Sequence, residues 1–405
     1  MENAQPRPAY TSIALEPASP LSVRAELALI RDAYRRRSSP AMRWKLANLL
    51  SRVADWEGLI GLLAPLDDLS VEEDLLLAAA WLEHRSIDGC GEAIKSIDRV
   101  NLGASTHAQR SAALVFRARI AAWHRDRAAA RGALQQALDL DPANRAACIR
   151  LARIELSEGR ADVALAMVDS LAAQGAEHPY LFAVRALSQA RCGDVANARR
   201  TMGTELLSAS RMIAPPPGWS EIEAFNAALA AELLAHPDLR FQRYGASPAL
   251  SWGIDAPLTP AAPLLGLLLG RIAEACAEHI AALDGADHPW LLMRPAKTTL
   301  HCSCVMTEAE DFEDWHAHPT GWLNGVYYVQ IPEGLSEESD AGCLAFGLPD
   351  SPAGSAAAEA YGRRIIRPRG GLMAVFPSHT YHRTFAHGCE GRRIAVTFEL
   401  RPSQN

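Results

Sequence analysis

His316 and His318 stand two apart in the run Asp-Trp-His-Ala-His-Pro that begins at Asp314. His382 follows 64 residues after His318, and Arg393 comes 11 residues later. Side chains on an extended segment alternate between faces, so His316 and His318 point to the same side. Two imidazoles on one face, completed by a third from a distance, form a metal-ligating set. With an arginine beyond the third histidine, the pattern is that of a metal site built into a β-barrel. Asp314 lies four residues before His318 and is the alternative third ligand, so the residues leave that choice open. Cys302 and Cys304 also share a strand face, but small buried apolar residues are their plainer role. His301, His379 and His387 read as surface or hydrogen-bonded core histidines.

These residues need strands to position them. After Pro289 the sequence alternates or turns β-branched and aromatic over 298–305, 325–331, 342–346, 371–376 and 393–400, with Gly, Pro and Asp turns between. Residues 220–234 and 264–283 read as helices. Helices followed by five such strands predict a β-sandwich or barrel backed by helices.

The N-terminal half has a different period. Residues 1–22, rich in Pro, Ser and Ala, predict a flexible arm. Beyond them, Ala118, Ala152 and Ala186 recur at a 34-residue step, as do Ala130, Ala164 and Ala198. Gly159 and Gly193 keep that step, and Leu134, Val168 and Met202 supply an apolar position in register. A 34-residue period with small residues at two fixed points predicts helix pairs that stack closely. Three units fit between about 111 and 205, and earlier ones are degenerate. The repeat domain is expected over 23–213, closed by the helix stop Ala214-Pro-Pro-Pro-Gly.

At 405 residues, two domains are the expectation. A net charge of −7 points to neither nucleic acid nor an anionic membrane as partner. Eight scattered cysteines without a CxxC pair suit a reducing compartment. The most apolar run, 263–270, is too short to span a bilayer, and no signal-peptide pattern stands at the start, so a cytoplasmic protein is expected.

The order His316-x-His318, His382, Arg393 has matching flanks. They are Gly325-Val-Tyr-Tyr-Val, Ala341-Gly-Cys-Leu-Ala-Phe, the run from 368 to 376 followed by Pro377-Ser378, and Arg393-Ile-Ala-Val-Thr-Phe. Together they resemble the 2-oxoglutarate/Fe(II)-dependent dioxygenase superfamily, in its bacterial His-x-His-Pro branch, over about 219–405. The N-terminal segment resembles tetratricopeptide repeats. The resemblance implies an α+β multidomain chain: all-α helical repeats, then a double-stranded β-helix (jelly-roll) oxygenase domain with flanking helices. It implies Fe(II) held by His316, His318 and His382, and 2-oxoglutarate held by Arg393 and Tyr328. It also implies O2 as co-reactant. His318 departs from the pattern, since most of the superfamily has Asp there. Three neutral imidazoles would leave the iron its full double charge. The implied activity is hydroxylation of a peptide or protein side chain recruited by the repeats. The alternatives are an adaptor with a catalytically idle barrel, and a three-histidine metal oxygenase that does not use 2-oxoglutarate.

Overall fold

Alanines at a fixed step let helices approach closely, and here that register is buried. The structure, a computed structural model, describes residues 11–403 except 85–87, 103–104, 177, 243–249 and 336. It divides into two compact units: Leu21–Ala176, and the described residues on either side of that stretch.

The first unit is helical. Its described helices are Val23–Arg36, Pro40–Arg52, Trp56–Leu63, Val71–His84, Gly89–Leu102, His107–Trp123, Arg127–Leu140, Arg145–Ser157 and Ala161–Ala173. Ala118, Ala130, Ala152 and Ala164 are each at most 3% exposed, so the repeated small residues lie at helix contacts. Ser39, Asp55, Thr106, Asp126 and Asn144 cap helix N-termini by accepting a first-turn amide, which satisfies donors the helix itself cannot. The turn closing a helix pair needs left-handed backbone at the same register point, seen at Arg125 (φ 61°) and Gly159 (φ 76°).

The second unit holds the strands. These are β1 (Ser12–Leu15), β2 (Ala209–Met212), β3 (Arg240–Gln242), β4 (Ser251–Ile254), β5 (Lys297–Thr307), β6 (Leu323–Gln330), β7 (Leu344–Phe346), β8 (Arg364–Ile366), β9 (Leu372–Pro377), β10 (His382–Thr384) and β11 (Arg393–Pro402). The large sheet runs β2-β9-β6-β11-β5-β4-β3, with β1 added parallel to β5, and the small sheet runs β10-β7-β8. Strand alternation gives the large sheet two different faces. Tyr327, Val329, Met373, Val375, Ile394, Val396 and Phe398 join a core built with the helices Ile222–Leu234 and Pro263–Ala282. Val326, Tyr328, Ala374, Phe376 and Ala395 instead pack against Leu344, Phe346 and Ile366 of the small sheet. The α+β architecture is the expected one, a helical-repeat segment followed by a two-sheet domain of largely antiparallel strands.

The two compact units part at Ala176, within the span of 23–213 read as repeats. The helices Tyr180–Arg191 and Val195–Met202 continue the 34-residue register, yet they belong to the strand unit. Tyr180 to Val184 are five consecutive buried residues, a helix covered all round, and Phe182 sits in the core with Trp290 and Leu229. Not all of 1–22 is a loose arm: Ser12–Leu15 pairs with Lys297–Leu300. Residues 1–10 lie outside the described residues.

Candidate metal and cosubstrate site

Hydrogen bonds bring the three histidines together. His316 and His382 exchange both backbone bonds, 2.9 Å each, in an antiparallel bridge. The His318 amide donates to the Ser378 carbonyl at 2.8 Å, fixing the segment at its other end. One ligand nitrogen from each of His316, His318 and His382 lies within 4.8 Å of the others. Ring centroids are 4.1 Å apart for His316 and His382, 5.1 Å for His316 and His318, and 5.2 Å for His318 and His382.

Ring tautomers follow from the acceptors. Nδ1–H of His316 donates to the Asp314 carbonyl at 2.8 Å, and Nδ1–H of His382 donates to the Thr380 carbonyl at 2.9 Å. Each leaves Nε2 with its lone pair, as in metal-bound imidazoles whose other ring nitrogen donates to a carbonyl. Burial, reinforced by the neighbouring imidazoles, holds His382 well below the ordinary histidine value. Burial likewise pushes His318 down to about 3, with His316 and Arg401 adding to it. Both are therefore neutral near pH 7. Asp314 is exposed, spends its carboxylate on the Trp315 amide, and is not a member of the histidine cluster.

β10 contributes to the site from both faces. His382 points inward with Phe376 against its ring at 4.6 Å. Arg383 points outward over the rings of Phe385, Phe312 and Trp315 at 4.8, 5.6 and 5.8 Å, holding the His316 segment against the strand. Thr384, inward again, reaches Arg393.

Arg393 is 4% exposed and hydrogen-bonds only neutral acceptors: Thr307 Oγ1 at 3.0 Å, the Gly342 carbonyl at 3.0 Å and Thr384 Oγ1 at 3.4 Å. Among the described residues no carboxylate is ion-paired with it. Burial lowers its affinity for its proton, but a guanidinium stays charged. The Tyr328 hydroxyl, close enough for Arg393 to act on its titration, is buried with no hydrogen-bond partner. Burial pushes Tyr328 up to about 12, so it is a phenol and a donor. Its neighbour Tyr327 faces the helices and donates to Asn226 Oδ1 at 2.7 Å. Arg392 is on the surface with Glu308. Cys302 and Cys304 lie in the helix-side core, on the opposite face from Tyr328.

The donor set fits both groups the resemblance implies. Three convergent imidazoles fit a divalent transition metal. A buried unpaired cation beside an orphaned donor fits a carboxylate, because either left alone carries a desolvation cost of a few kcal/mol, on the order of 1–3 for the hydroxyl. Thr307, Thr384 and the Arg383 cage were not singled out from sequence. Thr384 has a readable signal, standing two residues past His382 on a strand. The cage has none, because Phe312 and Arg383 meet only through the fold.

Residues 302–399 match the family described as putative 2OG-Fe(II) oxygenase, and residues 124–187 match the tetratricopeptide repeat. No curated protein matches the chain. Among solved structures, a Pseudomonas putida prolyl-4-hydroxylase is similar at 17% identity and TM-score 0.32, covering 49% of this chain and 94% of its own. A prolyl hydroxylase from Trichoplax adhaerens, in complex with a hypoxia inducible factor peptide fragment, is 14% identical at TM-score 0.33, with 53% of this chain and 90% of its own covered. The tetratricopeptide protein YrrB is 16% identical at TM-score 0.30, with 43% and 89% covered. Likenesses of this size say nothing of substrate or partner. The matched families show that the chain carries a 2OG-Fe(II) oxygenase domain together with a tetratricopeptide repeat, and by that domain it is an enzyme of the oxygenase class.

Proposed function

We propose that this protein is an Fe(II)/2-oxoglutarate-dependent dioxygenase that hydroxylates a peptide or protein side chain recruited by its helical repeats. One observation carries the reading: three imidazoles converge beside a buried, carboxylate-free Arg393 and an unpartnered Tyr328 hydroxyl. His316, His318 and His382 would hold the iron, and Arg393 with Tyr328 would hold the 5-carboxylate of 2-oxoglutarate. Iron, when bound, supplies oxygen activation coupled to the oxidative decarboxylation of 2-oxoglutarate. The protein's part is placement. The carbonyls of Asp314 and Thr380 orient two of the ligand rings, and Thr307, Thr384 and Gly342 orient the guanidinium. Phe376 and Phe346, stacked edge-on at 5.0 Å, wall the site with apolar surface.

A polypeptide substrate is supported by the repeats, because stacked helix pairs make extended binding surfaces. Eight free cysteines suit a reducing compartment, so we place the enzyme in the cytoplasm. No helix among the described residues is long and apolar enough to cross a membrane.

The test is succinate formed from 2-oxoglutarate and O2 by the iron-loaded protein. Parent and Asp314→Ala should turn over, while His382→Ala, His318→Ala and Arg393→Ala should each lose at least about a hundredfold. Turnover that survives His382→Ala or Arg393→Ala would sink the assignment. Loss in Asp314→Ala with retention in His318→Ala would move the third ligand to the carboxylate.

A further inference from the structure

A cavity of about 740 Å³ lies in the strand unit. It is walled by the segments around 182–206, 287–289 and 361–364, with Phe346 reaching it from the small sheet. Its lining carries Arg185, Arg199, Arg200, Arg363 and Arg364 against only Glu205 and Asp287. The whole chain has the opposite balance, 40 basic side chains to 47 acidic, so this concentration of positive charge is a local feature.

Arg199, Arg200 and Arg364 are held by neutral acceptors. Arg199 donates to the carbonyls of Ala360 (3.0 Å) and Tyr361 (2.8 Å). Arg364 donates to the Thr204 carbonyl at 3.1 Å and to Ser208 Oγ at 2.8 Å. Arg200 donates to the Asn197 side-chain oxygen at 3.2 Å. Exposed Arg363 has no side-chain hydrogen bond among the described residues. Among the described residues, no carboxylate is ion-paired with any of these four. Neutral acceptors fix the forks of Arg199, Arg200 and Arg364 without cancelling their charge, which is preorganisation for an anion. Phe182 and Tyr361 give the cavity aromatic walls. Gly203, at φ +62°, shapes the floor: a Cβ there would stand 2.8 Å from the His288 ring. The volume is that of a small-molecule site, which runs from about 300 to 1,000 Å³.

We propose that this cavity binds a small organic polyanion, a molecule carrying two or more phosphate or carboxylate groups on a body large enough to touch the aromatic walls. None of the three histidines lines this cavity, which shares the Phe346 wall with their site, and the proposal does not depend on the oxygenase reading. It is tested by calorimetric titration of the full-length protein, at low salt, with pyrophosphate, citrate and magnesium-free ATP. At least one probe should bind. Its affinity should fall about tenfold or more in Arg363→Glu, the loss expected for one charge-assisted contact, and should be unchanged in Arg393→Ala. Preference for the phosphate probes or for citrate identifies the anion. Arg200→Glu repeats the measurement from the opposite wall. The proposal is overturned by no binding of any probe up to about 1 mM. It is equally overturned by binding that both charge reversals leave intact, or that Arg393→Ala abolishes.

Discussion

At the scale of single residues, Tyr328 and Arg393 are in tension with stability. A hydroxyl buried without a partner costs about 1–3 kcal/mol, and the same hydroxyl is a donor waiting for an acceptor. Tyr328→Phe therefore has two opposite effects. In the absence of 2-oxoglutarate the variant should be more stable by about 1 kcal/mol, a rise of roughly 2–4 °C in Tm. In turnover its KM for 2-oxoglutarate should rise about tenfold, since a hydrogen bond to a charged group is worth roughly 1.5–3 kcal/mol. Thermal unfolding and succinate kinetics check the two halves separately. A variant less stable than the parent would mean the hydroxyl already has a partner.

At the scale of elements, the repeats show how a period is enforced by the backbone. Positions 125, 159 and 193 are one 34-residue step apart, and all three adopt left-handed backbone. Two are glycine and one is Arg125, which carries a Cβ where the conformation disfavours it by about 1–2 kcal/mol. Arg125→Gly should thus stabilise the helical unit by about 1 kcal/mol despite adding a glycine, as read by urea denaturation followed by circular dichroism. A loss of stability would show that the arginine side chain contributes more than its backbone costs. β10 is the corresponding case in the strand unit. Three residues send one side chain to the histidine cluster, one to an aromatic cage and one to Arg393, so a single short strand links both halves of the site.

At the scale of the whole molecule, pH dependence follows from buried bases that the site does not use. His379 donates to the Met202 carbonyl at 3.1 Å and lies parallel to His288 at 6.4 Å. Burial pushes His379 down to about 3 and lowers His288 as well, with each ring still hydrogen-bonded to backbone. A base whose folded pKa is depressed binds fewer protons folded than unfolded below the unfolded value. Its stabilising contribution is whole above about pH 6.5 and is lost as pH falls toward the folded value. The expected slope for His379 is about 1.4 kcal/mol per pH unit below 6.5. The stability difference between the parent and His379→Gln, measured by denaturation at pH 7 and pH 5, should narrow by about 2 kcal/mol. A pH-independent difference would mean His379 titrates normally in the fold.

Much of the site was legible because strand geometry is local. The period-two rule alone puts His316 beside His318, sends Tyr328 and Tyr327 to opposite faces, and turns Arg393 inward while Arg392 stays at the surface. The alanine step likewise announces close helix pairs, since only small side chains permit the approach. What could not be read is anything that depends on which surface covers which. Periodicity shows that the helix at 180–191 is apolar but not that it packs with the strands, so the compact units part at Ala176 although the 34-residue register runs on. A four-residue strand at Ser12–Leu15 has too little sequence to show a period, and it is ordered by the exposed edge of β5 that it pairs with. The pairing of His316 with His382, the bare charge of Arg393 and the gathering of five arginines around one cavity join residues far apart in the chain. Tertiary structure alone decides them, because hydrogen bonding and burial act through space, whereas sequence patterns report only the nearest neighbours along the backbone.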